Sequence, residues 1–480
     1  MRANAPPSHT DVLLFMPPYW DVYGDIDVRK IGFILPSLGV AYVASYLKGN
    51  GIKVRLVDVA CAIRSEEEVA STIRELRPRM VGITAVTAGM PTVHRIAQIT
   101  KQIDPEIVVV AGGPHPSALP ADTLEEPAID LVVEGEGEVP LLELARGTSP
   151  EAVPGVTFRG HDGGIVSVPR GPLLEDMDAL PVPLFDHLPV HDYGYLVLGN
   201  ALPVLSARGC PLPCTFCAST VVNQRRYRAR SPEAFADEIR WIHSRFGIDS
   251  YVFCDDTFTL DQKRTVALCE ELLRLDFPIR WSCMIRAAGL RRSTLAIMKR
   301  AGCRLVEIGA ESGDEEILES IQKKTKLHEI RTTVDRAKGV GLLTNAFFIL
   351  GLPGETPETV KRTIDFAASL PIDFAQFSMF TPLPGTASWD QVEESPDMEC
   401  IANDWSDFSR YRGAIVNSTA LPARELEALH RSAIRRFYFR PATAWRSFRR
   451  METLGDVRRL LHQAASVARM ARLRRPQSAG

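Results

Sequence analysis

The chain has 480 residues, of which 45% are apolar and 24% are charged, and its formal net charge is −3. The length predicts two or three domains, and the composition is that of a soluble globular protein. No run of about 18 apolar residues is present to span a membrane, and the N-terminus lacks the apolar region of a secretory signal. We therefore expect a cytoplasmic protein.

Residues 10–150, after a flexible tail at 1–9, alternate short β-branched runs with amphipathic segments. Five runs are predicted as buried strands, at residues 11–16, 53–59, 80–86, 106–113 and 130–135. Strands that alternate with helices predict a parallel sheet with crossover helices. We expect a Rossmann-like α/β domain here.

Four of these strands end in loops of small, polar or proline residues. The loops read MPPYW (16–20), TAVTAG (84–89), GGPHPS (112–117) and EGEGE (134–138). Ligands bind beyond the carboxyl ends of the strands in such sheets, so four loops on one edge predict room for a large ligand. The dinucleotide fingerprint G-x-G-x-x-G does not follow the first strand.

Residues 151–199 are rich in Pro, Gly and Asp and predict a linker, with a small hairpin at 155–168. A second alternating series occupies residues 200–395. Its six predicted strands are residues 201–209, 250–256, 280–286, 304–312, 343–354 and 374–385. Six β/α units predict a partial (βα)6 barrel, with its chemistry at the carboxyl ends of the strands. Residues 396–480 are predicted to be a helical C-terminal extension.

Three of the nine cysteines lie within eight residues, in the stretch SARGCPLPCTFCAS (206–219). Pro211 and Pro213 exclude a regular helix, so the stretch is predicted as a loop. Structural zinc requires four ligands, usually from paired C-x2-C units. Three cysteines instead favour an iron–sulfur cluster with one iron open to a small molecule. Zinc and unrelated thiols stay open as alternatives.

The C-x3-C-x2-C spacing, with an aromatic residue before the last cysteine, resembles the radical S-adenosylmethionine (SAM) superfamily. The resemblance implies that Cys210, Cys214 and Cys217 hold a [4Fe–4S] cluster. It also implies SAM contacts at successive strand ends, namely Phe216, Asp255, Asp256, Arg286, Glu311, Ser312, Gly351 and Pro353. In that superfamily, an electron from the cluster cleaves SAM to a 5′-deoxyadenosyl radical.

A parallel-sheet domain before such a barrel resembles the cobalamin-binding class of the superfamily, and its class B methyltransferases in particular. The resemblance implies cobalamin contacts at Pro17, Tyr19, Thr84, Thr87, Gly112, Gly113, His115, Glu134, Gly135 and Glu136. The cobalt-ligating motif D-x-H-x-x-G is absent, because no histidine has an aspartate two residues before it. The lower-face ligand of cobalt therefore stays open, with His115 as one candidate.

The two implied cofactors together indicate methylation of an unactivated carbon through methylcobalamin. A cyclase or ring-rearrangement enzyme without methyl transfer is an alternative, and a cobalamin or cluster sensor without turnover is another. A methylthiotransferase is less favoured, since Cys61 stands alone before the triplet. The implied partners are a small-molecule or carrier-bound substrate and an electron donor such as flavodoxin or ferredoxin.

The C-terminal region is basic, with 14 arginines and four acidic residues between residues 424 and 475. This surface would suit an anionic or carrier-bound substrate or a membrane. We favour a solvated face whose aromatic residues pack on the barrel, namely Phe437, Tyr438, Phe439, Trp445 and Phe448. Nucleic acid is not expected as a partner, because the whole chain is slightly acidic.

Overall fold

The computed structural model describes residues 10–18, 33–62, 65–409 and 413–440. This part of the chain divides into two compact units. The first contains residues 10–18, 36–192 and 218–228, and the second contains the described residues of 33–35, 193–217 and 229–440. Tyr19, Trp445 and Phe448, together with most of the arginine-rich run, lie outside the described residues.

The first unit is built on a seven-stranded sheet. Its strands are β1 (Val12–Met16), β2 (Val54–Asp58), β3 (Met80–Thr84), β4 (Val108–Gly112), β5 (Leu131–Val133), β6 (Val156–Arg159) and β7 (Ile165–Ser167). Their spatial order is β2-β1-β3-β4-β5-β6-β7, and the first five are parallel. All five predicted strands are confirmed. Each residue of β1 is buried, as expected for a strand with both faces covered.

The order of these strands reverses at β1, which has β2 on one side and β3 on the other. The crevice at such a switch point is where open α/β sheets bind ligands. Here the carboxyl ends of β1 and β3 lead into Pro17 and Ala85. The sheet therefore provides a ligand-binding edge where the sequence predicts one.

Eight α-helices lie in the described residues of the first unit, and all but the last connect its strands. They are α1 (Leu38–Gly49), α2 (Val59–Ala62), α3 (Glu66–Leu76), α4 (Met90–Ile103), α5 (Pro114–Ala118), α6 (Pro120–Thr123), α7 (Glu138–Ala145) and α8 (Ser219–Asn223). At the start of α3, the Ser65 hydroxyl accepts a hydrogen bond from the Glu68 amide. Three glutamates in its first turn also complement the helix dipole.

The hairpin predicted in the linker forms, but it is part of the first sheet. Strand β6 pairs antiparallel with β5, and β7 pairs antiparallel with β6. Val156 and Phe158 are buried in the first unit. The start of the predicted linker therefore joins the N-terminal domain, because its apolar side chains complete that core.

The second unit is a six-stranded parallel sheet whose strands are neighbours in chain order. The strands are β8 (Leu202–Val204), β9 (Ser250–Phe253), β10 (Arg280–Ile285), β11 (Cys303–Glu311), β12 (Leu343–Leu350) and β13 (Phe374–Met379). The helices are α9 (Pro232–Phe246), α10 (Gln262–Leu273), α11 (Arg292–Arg300), α12 (Glu315–Ser320), α13 (Leu327–Gly339), α14 (Pro357–Ser369), α15 (Ala387–Glu394) and α16 (Ala423–Tyr438). The six predicted β/α units are confirmed.

The amino-terminal end of this barrel is filled by the segment that precedes it. Tyr195, Leu198 and Ala201 pack in one buried cluster with side chains near the starts of the strands, such as Leu305 and Leu343. The Tyr195 hydroxyl donates to the buried Glu307 carboxylate at 2.8 Å. The amino-terminal end of the barrel is therefore blocked by this segment.

The described C-terminal residues are only partly helical, so the prediction of a helical extension is wrong for its first part. Met398–Cys400 (β14) pairs antiparallel with Val416–Ser418 (β15). Pro396 and Pro422 bracket this hairpin, and proline disfavours a continuous helix. In α16 the Phe437 ring contacts Phe377 of the barrel, as predicted, whereas Phe439 is 65% exposed.

None of the helices in the described ranges has the length and apolar character needed to cross a membrane.

Candidate cofactor sites

The cysteine loop follows β8 at the carboxyl end of the barrel. Cys214 is buried, and Cys210 and Cys217 are half-buried. The Cys217 amide donates to the Cys214 carbonyl at 3.3 Å, which gives the loop a tight turn. Within the described ranges, no three His, Cys, Asp or Glu side chains are gathered as in a metal site. The structure thus places the three thiols on one loop.

Thr215 anchors this loop between its second and third cysteines. Its amide donates to the Ile321 carbonyl at 3.1 Å, and its carbonyl accepts from the Ser388 amide at 3.0 Å. The Ser388 hydroxyl donates to the Thr215 hydroxyl at 3.0 Å, and Ser388 is fully buried. Two segments far away in sequence, the end of α12 and the start of α15, therefore hold the loop.

Lys323 places a positive charge beside the cysteines. Its ammonium nitrogen lies 2.5 Å from Glu311 Oε1, and the lysine side chain is 16% exposed. Burial alone would lower the pKa of Lys323, but the charges of Glu311 and of the Cys214 and Cys217 thiols outweigh it and raise that pKa. The same ammonium lies 5.9 Å from the centroid of the Phe216 ring. A lysine that stays charged here stabilises thiolates, and therefore a thiolate-ligated cluster.

Sequence reasoning missed Lys323. It stands in the run KKTK (323–326), and nothing in that run distinguishes one lysine from the next. One sequence feature related to this ion pair is Gly309, two residues before Glu311. A Cβ atom at Gly309 would lie 2.4 Å from Glu311 Oε1 and 2.7 Å from Lys323 Nζ. A side chain at residue 309 would therefore push the ends of Glu311 and Lys323 out of their present ion-pair geometry.

The predicted SAM contacts at the strand ends have partners within the protein. Glu311 pairs with Lys323 and adopts a positive φ of 63°. Ser312 is fully buried, and its hydroxyl lies 3.1 Å from that of Thr363. The Arg286 guanidinium donates to the Lys324 carbonyl, so it supports the loop that carries Lys323. Their contacts with SAM stay predictions.

Asp255 and Asp256 have different environments, although they are adjacent. Asp255 is 3% exposed, and its two oxygens accept from the amide and the hydroxyl of Ser206. Burial raises the pKa of Asp255 to about 6, against the lowering effect of these bonds. Asp255 therefore fixes the start of the cysteine loop, whereas Asp256 is half-buried. Of the two, Asp256 is the better candidate for the SAM amino group.

A buried carboxyl supports the loop that contains Gly351 and Pro353. Glu355 Oε2 accepts from the Gly351 amide at 2.6 Å and from the Leu352 amide at 3.0 Å. Glu355 is 2% exposed, and its other oxygen, Oε1, is buried without a hydrogen bond. Burial raises the pKa of Glu355 to about 8, so the carboxyl is largely protonated at neutral pH. Sequence reasoning missed this residue.

In the first unit, the GGPHPS loop lies against the end of β3. Gly113 has a φ of +100°, and a Cβ atom there would lie 2.8 Å from the Ala85 carbonyl oxygen. His115 is 1% exposed, with Nδ1 3.3 Å from the Thr87 hydroxyl. Burial and the neighbouring His94 lower the pKa of His115 to about 4, so it is neutral. The imidazole therefore packs inside the first unit.

The acidic residues of the EGEGE loop are paired with arginines. Glu134 lies 3.1 Å from Arg170, and Glu136 lies 2.9 Å from Arg228. Their carboxylates therefore join the EGEGE loop to Arg170 and Arg228 within the first unit. Their backbone and that of Gly135 still border the carboxyl edge of the sheet, beside Thr84 and Gly112.

Comparison with known proteins assigns both units. The model of the "B12 binding domain" matches residues 24–145, and that of the "Radical SAM superfamily" matches residues 204–367. The chain is 32% identical over 438 residues to "Uncharacterized methyltransferase PH0819" of Pyrococcus horikoshii, covering 90% of this chain and 93% of the relative. It is 30% identical to the anaerobic magnesium-protoporphyrin IX monomethyl ester cyclase of Rubrivivax gelatinosus, over 85% of this chain and 74% of the relative.

The fold is similar to that of the radical S-adenosylmethionine methyltransferase TsrM from Kitasatospora setae, solved with cobalamin and a [4Fe–4S] cluster bound. The TM-score is 0.71 at 18% sequence identity, over 96% of this chain and 99% of TsrM.

Replacing Thr215 with valine removes one hydroxyl and leaves the buried Ser388 hydroxyl without its acceptor. We expect this to weaken the loop by about 1–3 kcal/mol, so that the reconstituted protein loses iron faster to a chelator. Thr215→Ser should keep the parent rate, because it keeps the hydroxyl. Equal iron loss from Thr215→Val and the parent would contradict the anchoring role.

Replacing Lys323 with methionine removes a positive charge beside the cluster ligands. We expect the reduction potential of the cluster to fall by on the order of 50 mV, because the added electron loses a stabilising charge. Electron paramagnetic resonance (EPR) during a redox titration measures this. Lys324→Met changes an exposed neighbour and should leave the potential in place, and equal potentials in all three proteins would refute the role of Lys323.

The buried Glu355 carboxyl makes stability depend on pH. Its folded-state pKa, about 8, lies above the ordinary value of 4.5. The folded protein therefore holds a proton that the unfolded chain releases, and the free energy of unfolding falls as pH rises from 4.5 to 8. The slope for one group is at most about 1.4 kcal/mol per pH unit.

Glu355→Gln, which mimics the protonated carboxyl, should reduce that slope in melting experiments between pH 5 and 9. The exposed Glu358, on the first turn of α14, provides the control Glu358→Gln. An unchanged slope in Glu355→Gln would show that this carboxyl does not titrate as described.

The donor set of the chain fits the cofactors of its relatives. Three cysteines on one loop, with Lys323 beside them, suit a cluster that leaves one iron to SAM. The carboxyl edge of the first sheet is rich in glycine, and its glutamates are compensated by arginines, which suits a large ligand such as cobalamin. The two family models and the match over 90% of this chain agree with these two sites. The chain belongs to the cobalamin-binding radical SAM enzymes, which use a [4Fe–4S] cluster, SAM and cobalamin.

Proposed function

We propose that the protein is a C-methyltransferase that transfers a methyl group from SAM to an unactivated carbon. One observation carries this proposal: the match to the methyltransferase of Pyrococcus horikoshii covers 93% of that protein and 90% of this chain. Neither chain has a large segment outside the match, so the two share their whole architecture. When bound, cobalamin supplies a methyl carrier, and the cluster with SAM supplies a radical that removes hydrogen from the substrate.

The residues of the chain would position these groups. Thr215 fixes the cysteine loop, and Lys323 keeps a positive charge beside it. Glu355 holds the backbone of the loop that would receive the adenine of SAM. Asp256 and Arg286 would contact the rest of SAM, as the resemblance implies. The strand-end residues of the first unit would border the corrin ring.

The barrel restricts where the substrate enters. Its amino-terminal end is closed by the buried cluster around Tyr195, so a substrate would reach the radical from the carboxyl end of the strands. A small molecule, free or attached to a carrier, would fit this entry. The required reductant would be a one-electron donor such as flavodoxin or ferredoxin. None of the nine cysteines forms a disulfide, which agrees with a reducing, cytoplasmic setting.

Ring formation without methyl transfer is the second candidate function. The 30% identity to the magnesium-protoporphyrin IX monomethyl ester cyclase supports it. The chain covers only 74% of that cyclase, compared with 93% of the methyltransferase. We therefore rank methyl transfer first.

S-Adenosylhomocysteine distinguishes the two functions even before the substrate is known. The protein would be reconstituted anaerobically with iron, sulfide and hydroxocobalamin, reduced, and supplied with SAM carrying a deuterated methyl group. A methyltransferase should produce S-adenosylhomocysteine in an amount equal to the bound cobalamin, with the deuterated methyl group retained on the protein. Mass spectrometry measures both products.

The control for this experiment is the same protein reconstituted without cobalamin, which should form no such burst. 5′-Deoxyadenosine without S-adenosylhomocysteine would overturn methyl transfer and favour the cyclase-type reaction.

A further inference from the structure

Two arginines join the EGEGE loop (134–138) to other parts of the first unit. The Arg228 guanidinium donates to both oxygens of Glu136, each at 2.9 Å. The two side chains are only 3% and 9% exposed. Such a two-pronged contact fixes orientation as well as distance. Arg228 also donates to the Leu174 carbonyl, and the Leu174 amide donates to Glu136.

Arg170 makes a second connection of the same kind. It donates to Glu134 Oε2 at 3.1 Å, to the Val221 carbonyl at 2.6 Å and to the Ser117 carbonyl at 2.5 Å. The Ser117 hydroxyl in turn accepts from the Gly135 amide at 2.8 Å. One guanidinium thus joins two strand-end loops to α8.

Both arginines hold the same stretch of chain, residues 218–228, which belongs to the first unit. Arg170 holds it at Val221, and Arg228 is its last residue. This stretch begins one residue after Cys217, the third cysteine of the triplet. The eleven residues that leave the cysteine loop are therefore held by the loops that the sequence assigns to cobalamin.

We propose that Glu136 and Arg228, with Glu134 and Arg170, are positioning residues that fix residues 218–228, the segment into which the cysteine loop leads. A charge lost at Glu136 would leave Arg228 buried and uncompensated, and the held segment would shift. Because that segment is continuous with Cys217, the shift would reach a cluster ligand. This inference can be tested whether or not the protein transfers a methyl group, because the cleavage of SAM is sufficient to measure it.

The test uses the protein reconstituted with iron, sulfide and hydroxocobalamin, in the variants Glu136→Gln and Arg228→Lys. We expect a changed EPR spectrum of the reduced cluster with SAM. We also expect about a tenfold lower rate of 5′-deoxyadenosine formation for each bound cluster. A role confined to the stability of the first unit would lower the yield of holoenzyme and its cobalamin content. It would leave the EPR spectrum and the rate of 5′-deoxyadenosine formation unchanged for each cluster.

A neighbouring ion pair in the same stretch provides the matched control. Arg226 pairs with Glu175 at 2.7 Å, but the two side chains are 60% and 62% exposed. Arg226→Gln should therefore behave like the parent. Parent-like spectra and rates for each cluster in Glu136→Gln and Arg228→Lys would overturn the proposal. If Glu136→Gln does not fold, Arg228→Lys, which keeps the positive charge, decides on the same readouts.

Discussion

The structure depends on holding three thiols in a loop that cannot support itself. Two prolines deprive the stretch from Cys210 to Cys217 of amide donors and of helical geometry. Its remaining backbone groups must find partners elsewhere, since a buried amide or carbonyl without one is costly. Thr215 obtains its partners from the end of α12 and the start of α15, which are about 105 and 170 residues further along the chain. The loop therefore has its shape only when the barrel is folded around it.

Charge compensation is the second constraint on this region. Glu311 is paired with Lys323, Glu134 with Arg170 and Glu136 with Arg228, while Glu355 is largely protonated at neutral pH because of burial. Buried charges are stable only when paired or neutralised. These four carboxyl groups are therefore paired or neutral, which favours the exclusion of water that radical chemistry requires.

The ion pairs also give the acidic residues at the strand ends a role within the protein itself. The EGEGE loop and Glu311 look like ligand contacts because carboxylates at strand ends often bind ligands. In the folded protein, Glu134, Glu136 and Glu311 are occupied by cations of the chain itself. These ion pairs hold neighbouring backbone and side chains in place, and the contacts of the three glutamates with cofactors stay predictions.

The sequence by itself determined the architecture and the family. Strand and helix periodicity were sufficient to predict both sheets, because this signal is local in the chain. The C-x3-C-x2-C spacing favoured an iron–sulfur cluster, and SAM and cobalamin were implied by the resemblance to a known superfamily. These signals did not show that the hairpin predicted at 155–168 joins the first sheet, and they did not predict the hairpin before α16. Only the tertiary structure showed that Asp255 binds Ser206, that Lys323 faces the cysteines and that Glu136 holds Arg228. Each of these contacts joins residues from 49 to 109 positions apart, and no local pattern specifies which of several similar side chains the fold will bring together.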